Sequence, residues 1–264
     1  TITPDTVFRL GSITKQFTSA VILQLAEEGK LSLSDPLSKY LPGYPKPGAD
    51  VTITQLLNHT SGIKSYTAIP GFMSSGKIAQ AFTTDQLIAE FKDQPSDFAP
   101  GSKFQYNNSG YVLLGAVIEK VTGKPWHVAV DERIVKPLGL TSIRYGELEA
   151  TTPKMAAGYS EDGGKVVPSR PIHMSVPHAA GALIGSVEDL AKWAEALHKS
   201  KVVSNAHYAQ MIAPTKLSDG KTADYGFGLK PDKLRKRDVI GHGGGIPGFD
   251  TASVYVPADD VFVA

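Results

Sequence analysis

The sequence predicts an α/β (α+β) chain in which an antiparallel sheet is flanked by helices and an all-helical lobe is inserted. Three observations predict it. Helical periodicity opens at residue 12 and returns at 108 and 186, prolines break the stretch after the first helix, and alternating β-branched residues cluster near the last residue. The 264 residues suit one large domain or two lobes, and 41% apolar with 20% charged residues supplies a sizeable core.

From Ser12 to Glu28, Ile13, Phe17, Ala20, Val21 and Leu25 recur at spacings of three and four, and Gly29 stands where a C-terminal cap belongs. This is a buried helix whose first turn holds Ser12 and Lys15, stacked on one face. From Leu31 to Tyr66, Pro36, Pro42, Pro45 and Pro47 leave room only for short elements, among them a helical turn at Thr54 to Asn58. Thr83-Thr84-Asp85-Gln86 has the capping-box pattern ahead of Leu87, Ile88 and Phe91, and the helix it announces ends before Pro95. Leu113, Leu114, Val117, Ile118 and Val121 mark one face of a second strong helix, stopped by Gly123 and Pro125, with Tyr106 and Asn108 in the loop at its entrance. A third begins at Ser186, with Asp189 three residues on and Leu190, Trp193, Ala194 and Leu197 facing inward. Thr251 to Val256 alternates as a strand, residues 257–260 turn, and residues 261–263 start back. Together these place an α/β lobe at 1–30 and 160–264, a mainly helical lobe at 31–159, and a site between them.

Twenty-seven basic against 26 acidic residues leave a net charge of +1, which removes the electrostatic case for nucleic acid or an anionic membrane and points to a small-molecule partner. With no cysteine, the nucleophile must be oxygen or nitrogen. No apolar run reaches the roughly 18 to 20 residues of a membrane span. His59, His127, His173, His178, His198, His207 and His242 show neither His-x-x-x-His nor His-Glu-x-x-His spacing, so no metal site is expected. No serine has the Gly-x-Ser-x-Gly setting of a nucleophile elbow.

Ser-x-x-Lys occurs at Ser12, Ser61, Ser74 and Ser218, and only at Ser12 does it open a strong amphipathic helix. There the helix N-terminus favours developing negative charge while Lys15 projects its ammonium toward the serine oxygen. On this pairing alone, a capping serine beside a solvated lysine is the better account. Tyr-x-Asn occurs at Tyr106 to Asn108, where a turn before a helix competes with a general base. As a base, the Tyr106 phenol would have to fall from about 10 to about 7, roughly 4 kcal/mol, with Lys15 the natural source of positive charge. Gly241-His242-Gly243-Gly244-Gly245 reads either as a flexible turn or as backbone that approaches an acyl group, an N–H near Gly245 joining that of Ser12 around an oxyanion.

Those three segments, with Phe8-Arg9-Leu10-Gly11-Ser12, Leu56 to Gly62, Pro100-Gly101 and Tyr225-Gly226-Phe227-Gly228, resemble the serine β-lactamase and D-alanyl-D-alanine peptidase superfamily. The branch is that of class C β-lactamases, related esterases and D-aminopeptidases, and the likeness covers nearly the whole chain. It implies a β-lactamase/transpeptidase-like fold and an acyl-enzyme on Ser12, with Lys15 its activator, Tyr106 the proton shuttle, Asn108 a substrate-amide contact and Gly245 an oxyanion donor. It implies no metal or organic cofactor, and a periplasmic or secreted setting.

Two departures refine this. The family's usual Lys-Thr-Gly is here His242-Gly243-Gly244, and a neutral imidazole without a neighbouring hydroxyl holds a carboxylate poorly, which favours ester or D-aminoacyl and peptide amide cleavage over β-lactam turnover. β-Lactamase or D,D-carboxypeptidase activity, or a slowly acylated penicillin-binding sensor, stay as alternatives. Only 11 residues precede Ser12, and the last hairpin stops at Ala264. Family members carry further strands at both ends, so the expectation is a truncated sheet, completed by a missing segment or a second chain.

Overall fold

The computed structural model describes residues 1–264. The first strand, β1 (Phe8–Arg9), runs into a single 3-10 turn at Gly11–Ile13 and then α1 (Thr14–Glu27). Short helices α2 (Ile53–Leu57) and α3 (Thr84–Ala89) precede α4 (Asn108–Thr122) and α5 (Trp126–Val130). There follow β2 (Arg144–Tyr145), β3 (Tyr159–Asp162), β4 (Lys165–Pro168), α6 (His178–Gly181), β5 (Leu183–Gly185), α7 (Val187–His198) and α8 (Asn205–Ile212). The chain closes through β6 (Thr215–Lys216), β7 (Thr222–Ala223), β8 (Lys230–Leu234), β9 (Arg237–Ile246), β10 (Phe249–Val256) and β11 (Val261–Val263). The expected mixture of antiparallel sheet and helices is observed.

The main sheet has the order β11-β10-β9-β8, every pairing antiparallel, and a smaller sheet has the order β1-β5-β2. His242 lies opposite Ser253 and Gly244 opposite Thr251, so the glycine run is neither a turn nor a lead-in to a strand. It sits inside β9 because β8 and β10 pair with it from both sides and override the low strand propensity of glycine.

Helix α1 is the axis of the core, buried from Thr14 to Leu23 on every face. Its polar side chains are therefore satisfied internally: Thr18 Oγ1 donates to Ala179 O at 2.7 Å, Ser19 Oγ pairs with Tyr111 Oη at 3.0 Å, and Trp193 Nε1 donates to Gln16 Oε1 at 2.8 Å. The Trp193 indole also stacks on Phe17, with ring centroids 4.0 Å apart. The helix stops at a Schellman motif in which Gly29, at φ +68°, lets its own N–H reach Ala26 O and that of Lys30 reach Leu25 O.

Thr83 and Gln86 form the expected capping box, although α3 ends at Ala89, short of Pro95. Asn107, not a loop residue further back, caps α4, its Oδ1 accepting from Gly110 N at 3.1 Å. Asn108 is thereby the first helical residue, a correction to its expected place in the loop. The inward face expected for α7 is buried as read, at Leu190, Trp193, Ala194 and Leu197. No helix is long and apolar enough to cross a membrane.

Candidate active site

Ser12 sits in the 3-10 turn that feeds α1. That turn requires glycine as its first residue: Gly11 has φ +52°, and a β-carbon there would lie 3.1 Å from Gly244 C and Gly245 N. The close approach sets β9 against the serine. One helical turn on, Lys15 has no exposed surface. Its Nζ lies 3.2 Å from Ser12 Oγ, 2.8 Å from Asn108 Oδ1 and 2.8 Å from Ala180 O.

Two of those partners can only accept, so they take two amine hydrogens, and the third direction faces a hydroxyl. Burial pushes the Lys15 pKa well below the ordinary lysine range. A neutral amine has two hydrogens and one lone pair, which two acceptors and a donating hydroxyl satisfy completely. The sequence reading has Lys15 as an ammonium; its complete burial favours the neutral amine.

The Tyr106 ring lies over the same amine, its centroid 4.7 Å from Nζ. The residue is 38% exposed, yet desolvation by the protein packed around its phenol raises the pKa. The Ser12 hydroxyl offsets this only in part. Desolvation thus opposes the phenolate expected from sequence.

Asn108 bridges inward and outward. Its Oδ1 accepts from Lys15, its Nδ2 donates to Thr67 Oγ1 at 3.1 Å, and its backbone N–H donates to Ser65 Oγ at 3.2 Å. The segment after Ile63 is so fastened across the site entrance. Tyr66, Thr67 and Met73 from it join Ser12, Asn108 and Ile246 around a pocket of about 70 Å³, whereas Phe72 packs edge-on against Tyr66. His59 is packed and hydrogen-bonded: buried, with Nδ1 accepting from Asn107 N–H at 3.1 Å and its ring 4.5 Å from that of Tyr106.

His242, on β9, comes beside Tyr106, with ring centroids 5.9 Å apart. Its Nδ1 lies 2.5 Å from Gly243 O, which can only accept, so Nδ1 carries the proton and Nε2 accepts from the Tyr225 hydroxyl at 2.8 Å. Desolvation first, and then the proximity of Lys15, lower the His242 pKa to about 4. Beside it Gly244 faces the serine turn, where a β-carbon would lie 2.1 Å from Leu10 O and 3.1 Å from Ser12 N. All eight candidates, Ser12, Lys15, Tyr106, Asn108, His242, Gly243, Gly244 and Gly245, stand on these converging segments.

The other three Ser-x-x-Lys pairs stand apart in chemistry. Lys64 pairs with Asp97 at 2.8 Å, Lys77 with Glu90 at 3.1 Å and Lys221 with Asp219 at 2.8 Å, so each lies beside a carboxylate. Sequence reasoning missed Ala180, whose contribution is a main-chain carbonyl, and gave Tyr225 no role although it noted the Tyr-Gly-Phe-Gly segment.

The family pattern described as Beta-lactamase matches residues 1–264. The chain is 34% identical over 262 residues to the putative penicillin-binding protein PbpX of Bacillus subtilis (strain 168), covering 98% of this chain and 61% of that protein. It is also 34% identical over 194 residues to esterase EstB of Burkholderia gladioli, covering 68% and 48% respectively. Among solved structures, a D-stereospecific amidohydrolase from Streptomyces sp. superposes with a TM-score of 0.87 at 36% identity, over 96% of this chain and 79% of that one. The chain spans between 49% and 61% of the length of the first curated relatives it matches. On this full-length match and these likenesses, the chain belongs to the β-lactamase family.

Proposed function

We propose that this protein is a serine hydrolase that forms an acyl-enzyme on Ser12 and cleaves small esters or D-aminoacyl and peptide amides. The observation that carries the reading is the Lys15 amine: fully buried, hydrogen-bonded to two obligate acceptors, and 3.2 Å from Ser12 Oγ. Lys15 takes the Ser12 proton as Oγ attacks the acyl carbon. The N–H groups of Ser12 and Gly245 hold the tetrahedral oxyanion. Tyr106, entering as a neutral phenol, passes its proton to the leaving group and recovers one from Lys15. Water activated by the same pair then hydrolyses the ester, returning the proton to Ser12. Asn108 holds Lys15 and contacts the substrate amide.

The neutral His242 favours substrates without a carboxylate at the position it faces, which supports ester and amide cleavage over β-lactam turnover. The test compares p-nitrophenyl acetate, a chromogenic cephalosporin and D-aminoacyl anilides, with Ser12→Ala as control. Hydrolysis of an ester or anilide by the parent, with a transient mass adduct on Ser12 and neither in Ser12→Ala, is the expected result. Equal rates for the parent and Ser12→Ala refute it, and an adduct that persists for hours without turnover identifies a sensor instead.

A further inference from the structure

Helix α6 is one turn long, yet both of its middle carbonyls serve α1: Ala179 O accepts from Thr18 Oγ1 at 2.7 Å and Ala180 O from Lys15 Nζ at 2.8 Å. The residue that opens this turn, His178, is buried and has φ +44°, a left-handed conformation that a residue with a β-carbon holds only where its surroundings enforce it. Three helices of the segment between α1 and α6 supply that enforcement. From α3, Thr84 Oγ1 lies 3.2 Å from His178 Nε2; from α5, the Trp126 ring lies 5.3 Å from the imidazole. From α4, Glu119 Oε1 lies 3.9 Å from Nε2, and Gly115 leaves no space, since a β-carbon there would be 2.7 Å from His178 Cε1. The imidazole is thus the bolt that joins these helices to the carbonyl facing the amine.

We propose that His178 is a positioning residue for Lys15, an inference that rests on the function proposed above. Clamped at its ring, His178 fixes the one-turn helix so that Ala180 O receives one of the Lys15 hydrogens. Asn108 Oδ1 receives the other, and the lone pair is left aimed at Ser12. If Ala180 O swings away, the amine can rotate and donate to Ser12 Oγ instead, which leaves the serine without a base. His178 does not line the pocket beside Ser12, so its loss acts on the acylation step and not on binding.

The test is single-turnover acylation with p-nitrophenyl acetate, resolved into maximal rate and half-saturation, alongside thermal unfolding. His178→Gly tolerates the left-handed backbone but removes the ring, and His178→Asn tolerates it while keeping a short polar arm toward Thr84. The expected result is a maximal acylation rate at least about 10-fold lower in His178→Gly with half-saturation unchanged, restored to within about threefold in His178→Asn. Thr84→Val, which leaves the ring in place, provides a milder second perturbation with an expected loss of about threefold. Parent-like acylation in folded His178→Gly overturns the proposal. So does a loss that only tracks the unfolded fraction, or one that appears in half-saturation alone. Ser12→Ala carried in parallel separates the two claims: an adduct there defeats the Ser12 reading, whereas its absence together with parent-like His178→Gly defeats only the role of His178.

Discussion

Gly244→Ala is the sharpest test of the geometry around Ser12. An alanine β-carbon at this position falls 2.1 Å from Leu10 O and 3.1 Å from Ser12 N. Ordinary van der Waals separation requires a retreat on the order of 1 Å, and Leu10 O is main chain, so β9 or the serine turn must move. Either movement separates the N–H groups of Ser12 and Gly245. One misplaced oxyanion donor costs about 10² to 10³ in kcat, roughly 3 to 4 kcal/mol. Two neighbours provide the controls. In Gly243→Ala the β-carbon meets only Thr251 O, at 3.7 Å, an ordinary contact, so kcat should stay within about threefold. In Gly241→Ala it falls 2.3 Å from Ser253 O, a clash of similar size against β10, which should lower the melting temperature more than the activity of the folded protein. The assay is p-nitrophenyl acetate hydrolysis, kcat and KM separately, with a thermal melt of each variant. If folded Gly244→Ala keeps kcat within threefold of the parent, or Gly243→Ala is equally crippled, the oxyanion argument is wrong.

Three further outcomes follow from the same contacts. Tyr106→Phe should lose about 10² to 10⁴ on anilides, whose leaving amine needs a proton, and far less on p-nitrophenyl esters, whose leaving group departs as an anion; equal losses on both would remove Tyr106 from the proton path. Trp193→Ala should cost about 3 to 5 kcal/mol, since it empties a buried site stacked on Phe17 and strands Gln16 Oε1, read as a lower urea midpoint at unchanged slope. His242 has a folded pKa of about 4 against about 6.5 when unfolded, so the unfolded chain takes up its proton first as pH falls through that window. Stability should therefore drop by about 2 to 3 kcal/mol from this group between pH 7 and pH 4, at about 1.4 kcal/mol per pH unit. His242→Gln should flatten part of that slope in urea titrations, and an unchanged slope would show that the imidazole is not held neutral.

Much of the fold was legible because its signals are local. The periodicity after Ser12, the Thr83 capping box and the inward face of α7 each need only a few neighbouring residues, and all three stand in the structure. The Ser12 to Lys15 relation was legible for the same reason, being one helical turn. What escaped depends on partners far away in sequence. Gly241 to Gly245 became strand only because β8 and β10 pair with it from both sides. Ala180 acts through a carbonyl, which every residue has, so no side chain marks it. The Nε2 of His242 meets a tyrosine hydroxyl 17 residues earlier. Asn107 and Asn108 were indistinguishable as caps until the helix start was fixed between them.

The protonation of Lys15 is the most instructive of these, because the four Ser-x-x-Lys pairs share one spelling and differ in environment. At the surface, Lys64, Lys77 and Lys221 find carboxylates. Inside α1 there is no carboxylate within reach of Lys15, only a carbonyl, an amide oxygen and a hydroxyl. A buried ammonium without a counter-charge is costly, while a neutral amine among these three partners leaves nothing unsatisfied. On the proposed function, the burial that forms the core is also what favours lysine as a base over lysine as a charge, and the hydroxyl it faces is the only one of its partners with a proton to give. That proposal predicts that Lys15→Arg, still charged when buried and lacking a lone pair, should fold less stably and fail to acylate in the same single-turnover assay. An Arg variant that acylated at the parent rate would mean that the Ser12 proton leaves by another route.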